Sequence, residues 1–271
     1  MRKPGMILSR ILLGLLLCLT LMPFYLLLVN SFKRASTIIS APFAVSVTPQ
    51  LVTYAKALPQ ILRPMLNSLI VTAAIIVLTI VVSLLAAYAF ARFRFAFKEP
   101  LYFCVIALLM IPGFVLLIPQ FIQVVRLGLY DSYWALILVP TAYQVAMGTF
   151  LVRTSIEGIS ASLFEAATME GATDTQMLRY IVLPMSKPIL ATLTIMTGLS
   201  AWNNYIWPLV ASSSDTTKQI SVALTSLVRD TLYGNGVLFA GYVCASLPII
   251  ILFCCASKYF VEGLSQGAVK G

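Results

Sequence analysis

One short stretch of the sequence combines two side-chain types that can recognise a polyhydroxylated ligand. Trp202, Asn203, Asn204 and Tyr205 follow one another, so flat aromatic faces that can stack on a sugar ring stand beside amides that can hydrogen-bond its hydroxyls. Gln144 is a weaker candidate for contact with the same ligand, because its amide is a polar group within an apolar run. The alternative is that the asparagines bond a neighbouring helix while Tyr205 and Trp207 belong to an aromatic belt at a membrane surface.

The sequence lacks the residues that bond-making chemistry would need. There is no histidine among the 271 residues, which excludes HExxH metalloprotease and Ser-His-Asp hydrolase sites. A GxxxxGK[ST] phosphate-binding loop is absent as well. The five cysteines lie in apolar runs without metal-ligand spacing, which favours a packing role. We therefore expect neither enzymatic activity nor a cofactor in this chain.

Long apolar runs must position the candidate residues. The chain is 60% hydrophobic and 10% charged, far below the roughly 25% charged residues of a soluble domain. Six runs without Asp, Glu, Lys or Arg are each long enough for a membrane-spanning helix, which takes roughly 20 residues. The predicted spans are approximately 11–32, 66–90, 101–124, 132–152, 188–210 and 236–257. A seventh uncharged run, 35–55, is rich in Ser, Thr and Pro and is expected to form an external loop.

The distribution of basic residues predicts the orientation. With six spans and an internal N-terminus, eleven of the 18 Lys and Arg residues are cytoplasmic, as the positive-inside rule requires. The cluster of Arg92, Arg94 and Lys98 contributes most to this asymmetry, whereas Lys33 and Arg34 oppose it. Both termini, including the tail 258–271, are therefore expected in the cytoplasm.

The only long cytoplasmic segment of this arrangement is 153–187, and its local signals predict two short helices. Ser162 with Glu165, and Thr173 with Gln176, have the spacing of capping boxes, in which side chains satisfy the first N–H groups of a helix. Gly171 can adopt a left-handed conformation and is predicted to end the first helix.

Pro184 is predicted to end the second helix of this loop. A hairpin lying on the membrane surface is the alternative to a docking element. Surface helices are usually rich in Lys and Arg, but here the acidic residues outnumber the basic ones. The acidic residues are Glu157, Glu165, Glu170 and Asp174, against Arg153, Arg179 and Lys187.

The same loop resembles the EAA loop of ABC importer permeases at every fixed position of that motif. The matching residues are Glu165, Ala166, Ala167, Gly171, Ile181, Leu183 and Pro184. In that family the loop docks into a cleft on the ATPase subunit, so the resemblance implies an ATPase-coupling role for these seven residues. The one departure is Glu170, where many relatives carry Asp, and it keeps the charge.

Further stretches are similar to the second permease subunit of maltose-type carbohydrate importers. They are Asn67-Ser68-Leu69, Gly128-Leu129, Trp202-Asn203, Trp207-Pro208-Leu209 and the terminal residues from Gly263 to Gly271. The resemblance implies one all-α membrane domain over residues 1–271, with six transmembrane helices, the ABC importer permease fold and a cytoplasmic coupling-helix loop.

The resemblance also implies a function and partners. It implies a path for a mono- or oligosaccharide, shared with a non-identical sister permease in a bacterial plasma membrane. Two ATPase subunits would bind ATP and Mg, and an extracytoplasmic protein would deliver the cargo. Because the EAA loop is common to such importers, a polyamine or phosphonate remains an alternative cargo. An ion-coupled carrier acting alone would instead require charged residues inside the spans.

Overall fold

The computed structural model describes the backbone of residues 4–229 and 235–268, and the side chains of residues 8–227 and 236–255. Within those ranges the secondary structure is helical and contains no strand, which confirms the all-α prediction. The helices are α1 (Pro4–Asn30), α2 (Ala35–Ser40), α3 (Val52–Arg92), α4 (Lys98–Ala107), α5 (Gly113–Arg126), α6 (Tyr133–Glu157), α7 (Ala161–Met169), α8 (Asp174–Met177), α9 (Leu183–Met185), α10 (Lys187–Trp202), α11 (Ile206–Ala211), α12 (Ile220–Arg229) and α13 (Asn235–Ala268).

Four helices are long and apolar enough to cross a membrane, namely α1, α3, α6 and α13. Two bent pairs pass the same test together. In the first, Lys98–Met110 and Gly113–Arg126 meet at 102°, and in the second, Asp174–Met185 and Lys187–Trp202 meet at 74°. Counting each pair as one span brings the number to six, the number expected from the apolar runs.

The apolar run predicted as one span over 101–124 is not one continuous helix. A 3₁₀ turn at Leu108–Met110 follows α4, and Ile111 and Pro112 are extended, with ψ of 119° and 127°. The cause is local, because a proline ring disfavours the helical conformation of the residue before it. Helix α5 then begins at Gly113.

Other helix boundaries also differ from the apolar runs. Helix α3 has 41 residues and is therefore about 60 Å long, twice the roughly 30 Å of a hydrocarbon core. It begins at Val52 and, with α2, makes part of the predicted loop 35–55 helical. Helix α13 continues to Ala268, through most of the predicted tail, and residues 269–271 lie outside the described part.

The described residues group into two compact units, one formed by the chain up to Met65 with Val222–Leu247 and the other by Leu66–Ser221 with the chain from Pro248. In the first unit, Lys33 is only 1% exposed. Its Nζ donates hydrogen bonds to Asn30 Oδ1 (2.9 Å), Ala41 O (2.8 Å) and Pro42 O (3.1 Å). These three acceptors use all three donors of the ammonium group. Lys33, which opposed the charge rule, is thus buried by the loop that follows α1.

In the second unit, α3 and α6 approach so closely at Gly148 that a side chain there would not fit against Ser83. A Cβ on Gly148 would collide with Ser83 Oγ and lie 2.9 Å from Ser83 Cβ. Small residues at such contacts allow backbones to approach, and dispersion contacts and hydrogen bonds then hold the helices together. Ser83 also donates to Val145 O (3.3 Å).

We predict that Gly148→Ala lowers the free energy of unfolding by about 1–3 kcal/mol, the usual cost of overpacking a helix contact. The control is Gly14→Ala in α1, where nothing lies within 4 Å of the added Cβ. Thermal unfolding in detergent would compare the two variants. Equal midpoints would contradict the close contact of α3 and α6.

Candidate functional site

A cavity of about 570 Å³ lies in the second unit, where helices are interrupted. The start of α5, the middle of α6 and the segment between α10 and α11 surround it. Its polar and aromatic lining comprises Phe114, Gln120, Tyr143, Gln144, Ser200, Asn203, Asn204, Tyr205 and Trp207. The volume lies within the usual range for small-molecule sites.

The break between α10 and α11 brings the two asparagines to this cavity. Helix α10 ends at Trp202, with Asn203 as the residue that follows its last turn. Asn204 Oδ1 accepts the backbone N–H of Trp207 (3.3 Å), which is one of the unpaired donors at the start of α11. The carbonyl of Asn204 accepts a hydrogen bond from the Ser221 hydroxyl (2.7 Å). Asn204 therefore stabilises the break, while Asn203 lines the cavity and its side chain makes no hydrogen bond to any residue that the structure describes.

Four of the five predicted path residues line this cavity, and Trp202 does not. Asn203, Asn204, Tyr205 and Gln144 are among the lining residues. Trp202 is the last residue of α10 and is only 6% exposed. Successive residues of a helix point about 100° apart, so neighbours in sequence need not share one face, and Trp202 belongs to the packed interior.

The sequence prediction missed other parts of the lining. Tyr143 and Pro140 belong to it together with Gln144. Pro140 and Gln144 are four residues apart on one face of α6, a spacing that could have indicated this surface. Phe114 comes from α5. No sequence pattern indicated it, because the bend before α5 brings this residue to the cavity.

Asp131, just before α6, ties this end of α6 to the segment after α11. Its carboxylate accepts hydrogen bonds from the Thr217 hydroxyl and from the backbone N–H groups of Ser213 (3.1 Å) and Ser214 (3.2 Å). The bond from Thr217 contributes most to lowering the pKa of Asp131 to about 2; burial opposes it, and the backbone donors add to it. The carboxylate is therefore ionised at physiological pH, and this loop stays attached to α6.

The 153–187 loop has two arms: the first is helix α7, and the second is the helical segment Asp174–Met185. The start of the first arm differs from the prediction, and its end agrees with it. Helix α7 begins at Ala161 with Ser160 as its N-cap and no side-chain cap, so the predicted box of Ser162 with Glu165 is wrong. Ser162 lies inside the first turn and is not the N-cap. Glu165 is therefore not at the third helical position, from which a side chain can bond the N–H of the N-cap residue. The end at Gly171 is confirmed, since its φ is +79°.

Two backbone hydrogen bonds close the first arm at this glycine. The N–H of Ala172 bonds Ala167 O (2.9 Å) and the N–H of Gly171 bonds Thr168 O (3.0 Å). This pair of bonds defines a Schellman motif, which satisfies the last carbonyls of a helix. The first arm therefore leaves the glycine in a defined direction.

The second arm begins as predicted and continues further than predicted. The capping box of Thr173 with Gln176 is confirmed, with Thr173 N–H bonded to Gln176 Oε1 at 2.8 Å. The helix does not end at Pro184 but at Met185, before the 74° bend. A π-helical turn, Leu178–Val182, precedes the proline. Such a wider turn can accommodate a proline ring, which clashes with the carbonyl four residues earlier in an α-helix.

The last turn of α3 contacts both arms of this loop. The Tyr88 hydroxyl donates to Asp174 Oδ1 (2.8 Å), at the start of the second arm. The Arg92 guanidinium lies 3.8 Å from the ring centroid of Phe164, a fully buried residue of the first arm. Tyr88 and Arg92 are four residues apart on one face of α3. Sequence analysis missed both, because only the fold brings α3 to the loop.

A second contact joins α6 to α4 near the start of the loop. Arg153 donates to Glu157 Oε1 (2.7 Å) and to Glu99 Oε1 (3.0 Å). Its guanidinium also lies 3.8 Å from the ring centroid of Tyr102. Only one of its partners, Glu157, lies at helical spacing in the sequence.

The seven residues of the EAA-like motif divide between the surface and the interior. Ala167 and Ile181 are half-buried against the apolar core below the loop. The remaining members are exposed, namely Glu165, Ala166, Gly171, Leu183 and Pro184. Met169 and Tyr180 enlarge the exposed apolar surface beside them.

Comparison with known proteins agrees with this architecture. A family model described as binding-protein-dependent transport system inner membrane component matches residues 79–266. The chain is 40% identical over 209 residues to the probable ABC transporter permease protein YurM of Bacillus subtilis, covering 76% of this chain and 69% of that protein. It is 31% identical over 261 residues to the arabinooligosaccharides transport system permease protein AraQ of the same organism, covering 93% and 92% of the two chains.

A solved structure has the same fold. It is the crystal structure of a bacterial ABC transporter involved in the import of the acidic polysaccharide alginate. The superposition covers 94% of this chain and 95% of that chain, with a TM-score of 0.83 and 25% identity.

We predict that Tyr88→Phe loosens the second arm of the loop. Losing a hydrogen bond to a charged group costs about 1.5–3 kcal/mol, so amide hydrogen exchange over residues 173–182 should rise roughly tenfold or more. Tyr180→Phe is the control, because its exposed hydroxyl makes no such bond with the described residues. Unchanged exchange in Tyr88→Phe would show that Asp174 does not hold the arm.

Proposed function

Because the chain belongs to the family of binding-protein-dependent transport system inner membrane components, we propose that it is the permease subunit of an ATP-driven carbohydrate importer. The observation that carries the cargo assignment is the cavity where α5, α6 and the break after α10 meet. Tyrosine and tryptophan rings and side-chain amides line it together. Rings that stack and amides that both donate and accept suit a mono- or oligosaccharide.

The charge of the cavity favours sugar over the other cargoes. None of its lining residues is Asp, Glu, Lys or Arg. A polyamine would need carboxylates, and a phosphonate would need cationic or clustered N–H donors. The names of two similar proteins point the same way, because they refer to arabinooligosaccharides and to alginate.

The proposed assembly contains a non-identical sister permease, two ATPase subunits and an extracytoplasmic binding protein, in the bacterial inner membrane. The family description, which refers to a binding protein and the inner membrane, supports these two parts of the proposal. ATP and Mg are bound by the ATPase subunits and not by this chain. Both termini face the cytoplasm, in agreement with the distribution of basic residues.

Coupling to the ATPase is proposed to run through the two arms of the 153–187 loop. Its exposed EAA-like residues, with Met169 and Tyr180, form the surface that an ATPase cleft would contact. A movement of the arms would reach α3 through Tyr88 and Arg92, because each of these residues holds a different arm. Since α10 follows the second arm directly, the same movement would also reach the cavity.

The cargo class is tested by uptake into vesicles that contain the purified complex and ATP. Labelled arabinose, maltose and arabinooligosaccharides would be compared with labelled putrescine and methylphosphonate. We expect accumulation of at least one sugar and of neither charged solute. Accumulation of putrescine or methylphosphonate alone would overturn the carbohydrate assignment.

For the sugar that accumulates, Gln144→Leu should weaken transport, because the leucine cannot hydrogen-bond a hydroxyl. A bond of about 1 kcal/mol corresponds to a roughly fivefold increase in the concentration for half-maximal uptake. Gln123→Leu is the control, since Gln123 does not line this cavity. Equal effects of the two variants would show that Gln144 does not contact the cargo.

Coupling is tested by Gly171→Val. The glycine has a φ of +79°, where a β-branched residue costs on the order of 1–3 kcal/mol. We expect normal membrane insertion but weaker ATPase co-purification, or ATP hydrolysis without uptake. Gly14→Val, in α1, controls for the added volume. Transport by Gly171→Val at the rate of the unsubstituted protein would mean that the turn does not direct the second arm.

A further inference from the structure

Basic and aromatic residues alternate in the short connection between α3 and α4. Residues 93–98 read Phe93, Arg94, Phe95, Ala96, Phe97 and Lys98. Helix α3 is a candidate membrane span, and Lys98 begins the first bent pair, which is another. A connection of five residues between two candidate membrane spans is short enough to lie at one membrane surface.

Two cations at this connection, Arg94 within it and Lys98 at the start of α4, have no partner within the part of the chain that the structure describes. Arg94 and Lys98 make no ion pair with any described carboxylate. The nearest acidic residue in the sequence, Glu99, is paired with Arg153. Arg92, just before the connection, is stacked on Phe164. The positive charge of Arg94 and Lys98 is therefore available to an external anion.

The backbone holds one ring of the connection outward at a conformational cost. Phe97 has φ +60° and ψ 19°, in the left-handed region that a bulky residue rarely adopts. Its side chain is 79% exposed, whereas Phe93 and Phe95 lie 5.6 and 5.9 Å from the rings of Tyr88 and Phe90. A strained residue with an exposed apolar ring indicates a function that compensates for the strain. Burial among lipid chains at the interface would do so.

We propose that residues 93–98 form a binding site for anionic phospholipid. The Arg94 guanidinium and the Lys98 ammonium bind the headgroup phosphate, which both groups recognise through charge-assisted hydrogen bonds. The Phe97 ring inserts beside the upper acyl chain. In the orientation proposed above, the lipid belongs to the cytoplasmic leaflet, whose surface is negatively charged.

The position of this site connects lipid binding with the loop. The connection begins one residue after Arg92, which holds the first arm through Phe164. An anionic lipid bound here lies beside the last turn of α3 and the first turn of α4, whose N–H groups favour a negative charge. The proposal concerns the membrane alone and does not depend on which solute the complex imports.

The first test measures lipid selectivity. The purified complex would be reconstituted with spin-labelled phosphatidylglycerol or phosphatidylcholine, and the protein-bound fraction of each lipid measured by electron paramagnetic resonance. We expect a preference for phosphatidylglycerol that falls in the R94Q/K98Q variant by on the order of fivefold per charge removed at this site. The control is K56Q/R126Q, which removes the same charge from exposed positions elsewhere. A fall of the same size in the control would mean that only net charge matters and would overturn the proposal, as would no fall in R94Q/K98Q.

The second test identifies what covers Phe97. Fluorescence of Phe97→Trp would be recorded in phosphatidylglycerol vesicles with and without bromine on the upper acyl chain, after subtraction of the signal of Trp134, Trp202 and Trp207 from the parent complex. Quenching by bromine is expected. Quenching by aqueous iodide instead would show a solvated loop. Protection from both quenchers would show a protein partner, the ATPase included, and either result would overturn the proposal.

Discussion

Inside a bilayer, every backbone N–H and C=O group has to find a partner within the protein, and the rest of this structure depends on that constraint. Continuous helices meet it without help, as in α1 and most of α3. Where a helix stops inside a span predicted from the sequence, as in 188–210, polar side chains must complete the bonding. The break after Trp202 is such a place, with Asn204 accepting from Trp207 and from Ser221. The residues that permit the break thus leave polar groups beside a cavity.

The loop at the other end of α10 meets the same requirement through local hydrogen bonds. A Schellman motif at Gly171 and a capping box at Thr173 close two adjoining helix ends without borrowing donors from elsewhere. The resulting hairpin has a defined shape, and the end of α3 holds each arm separately. Since the second arm leads through one bend into α10, and α10 ends at the cavity, a single stretch of chain joins the two candidate sites.

The two buried cations, Lys33 and Arg153, are compensated by different partners. Lys33 is surrounded by neutral oxygen atoms that use all its donors, so it fixes the loop after α1. Arg153 is paired with two carboxylates and stacked on Tyr102, so it joins α4 to α6. In both cases the cation stabilises a connection between helices. Arg94 and Lys98 lack such partners among the described residues, which is why their role is sought outside the chain.

The sequence by itself determined the features that depend on neighbours along the chain. Apolar run length indicated the membrane class and the number of candidate spans, and short spacings predicted the turn at Gly171 and the cap at Thr173, because these bonds close within a few residues. The cap at Ser162 was wrong because α7 begins before it, at Ala161 with Ser160 as the N-cap, so the spacing to Glu165 did not mark the start of the helix.

The tertiary structure alone decided which helix faces meet. It separated Trp202 from its polar neighbours, because the last turn of α10 points that ring inward. It also brought Tyr88 to Asp174 and Arg92 to Phe164. These contacts join residues more than seventy positions apart, so the packing of whole helices sets them and no short sequence pattern records them.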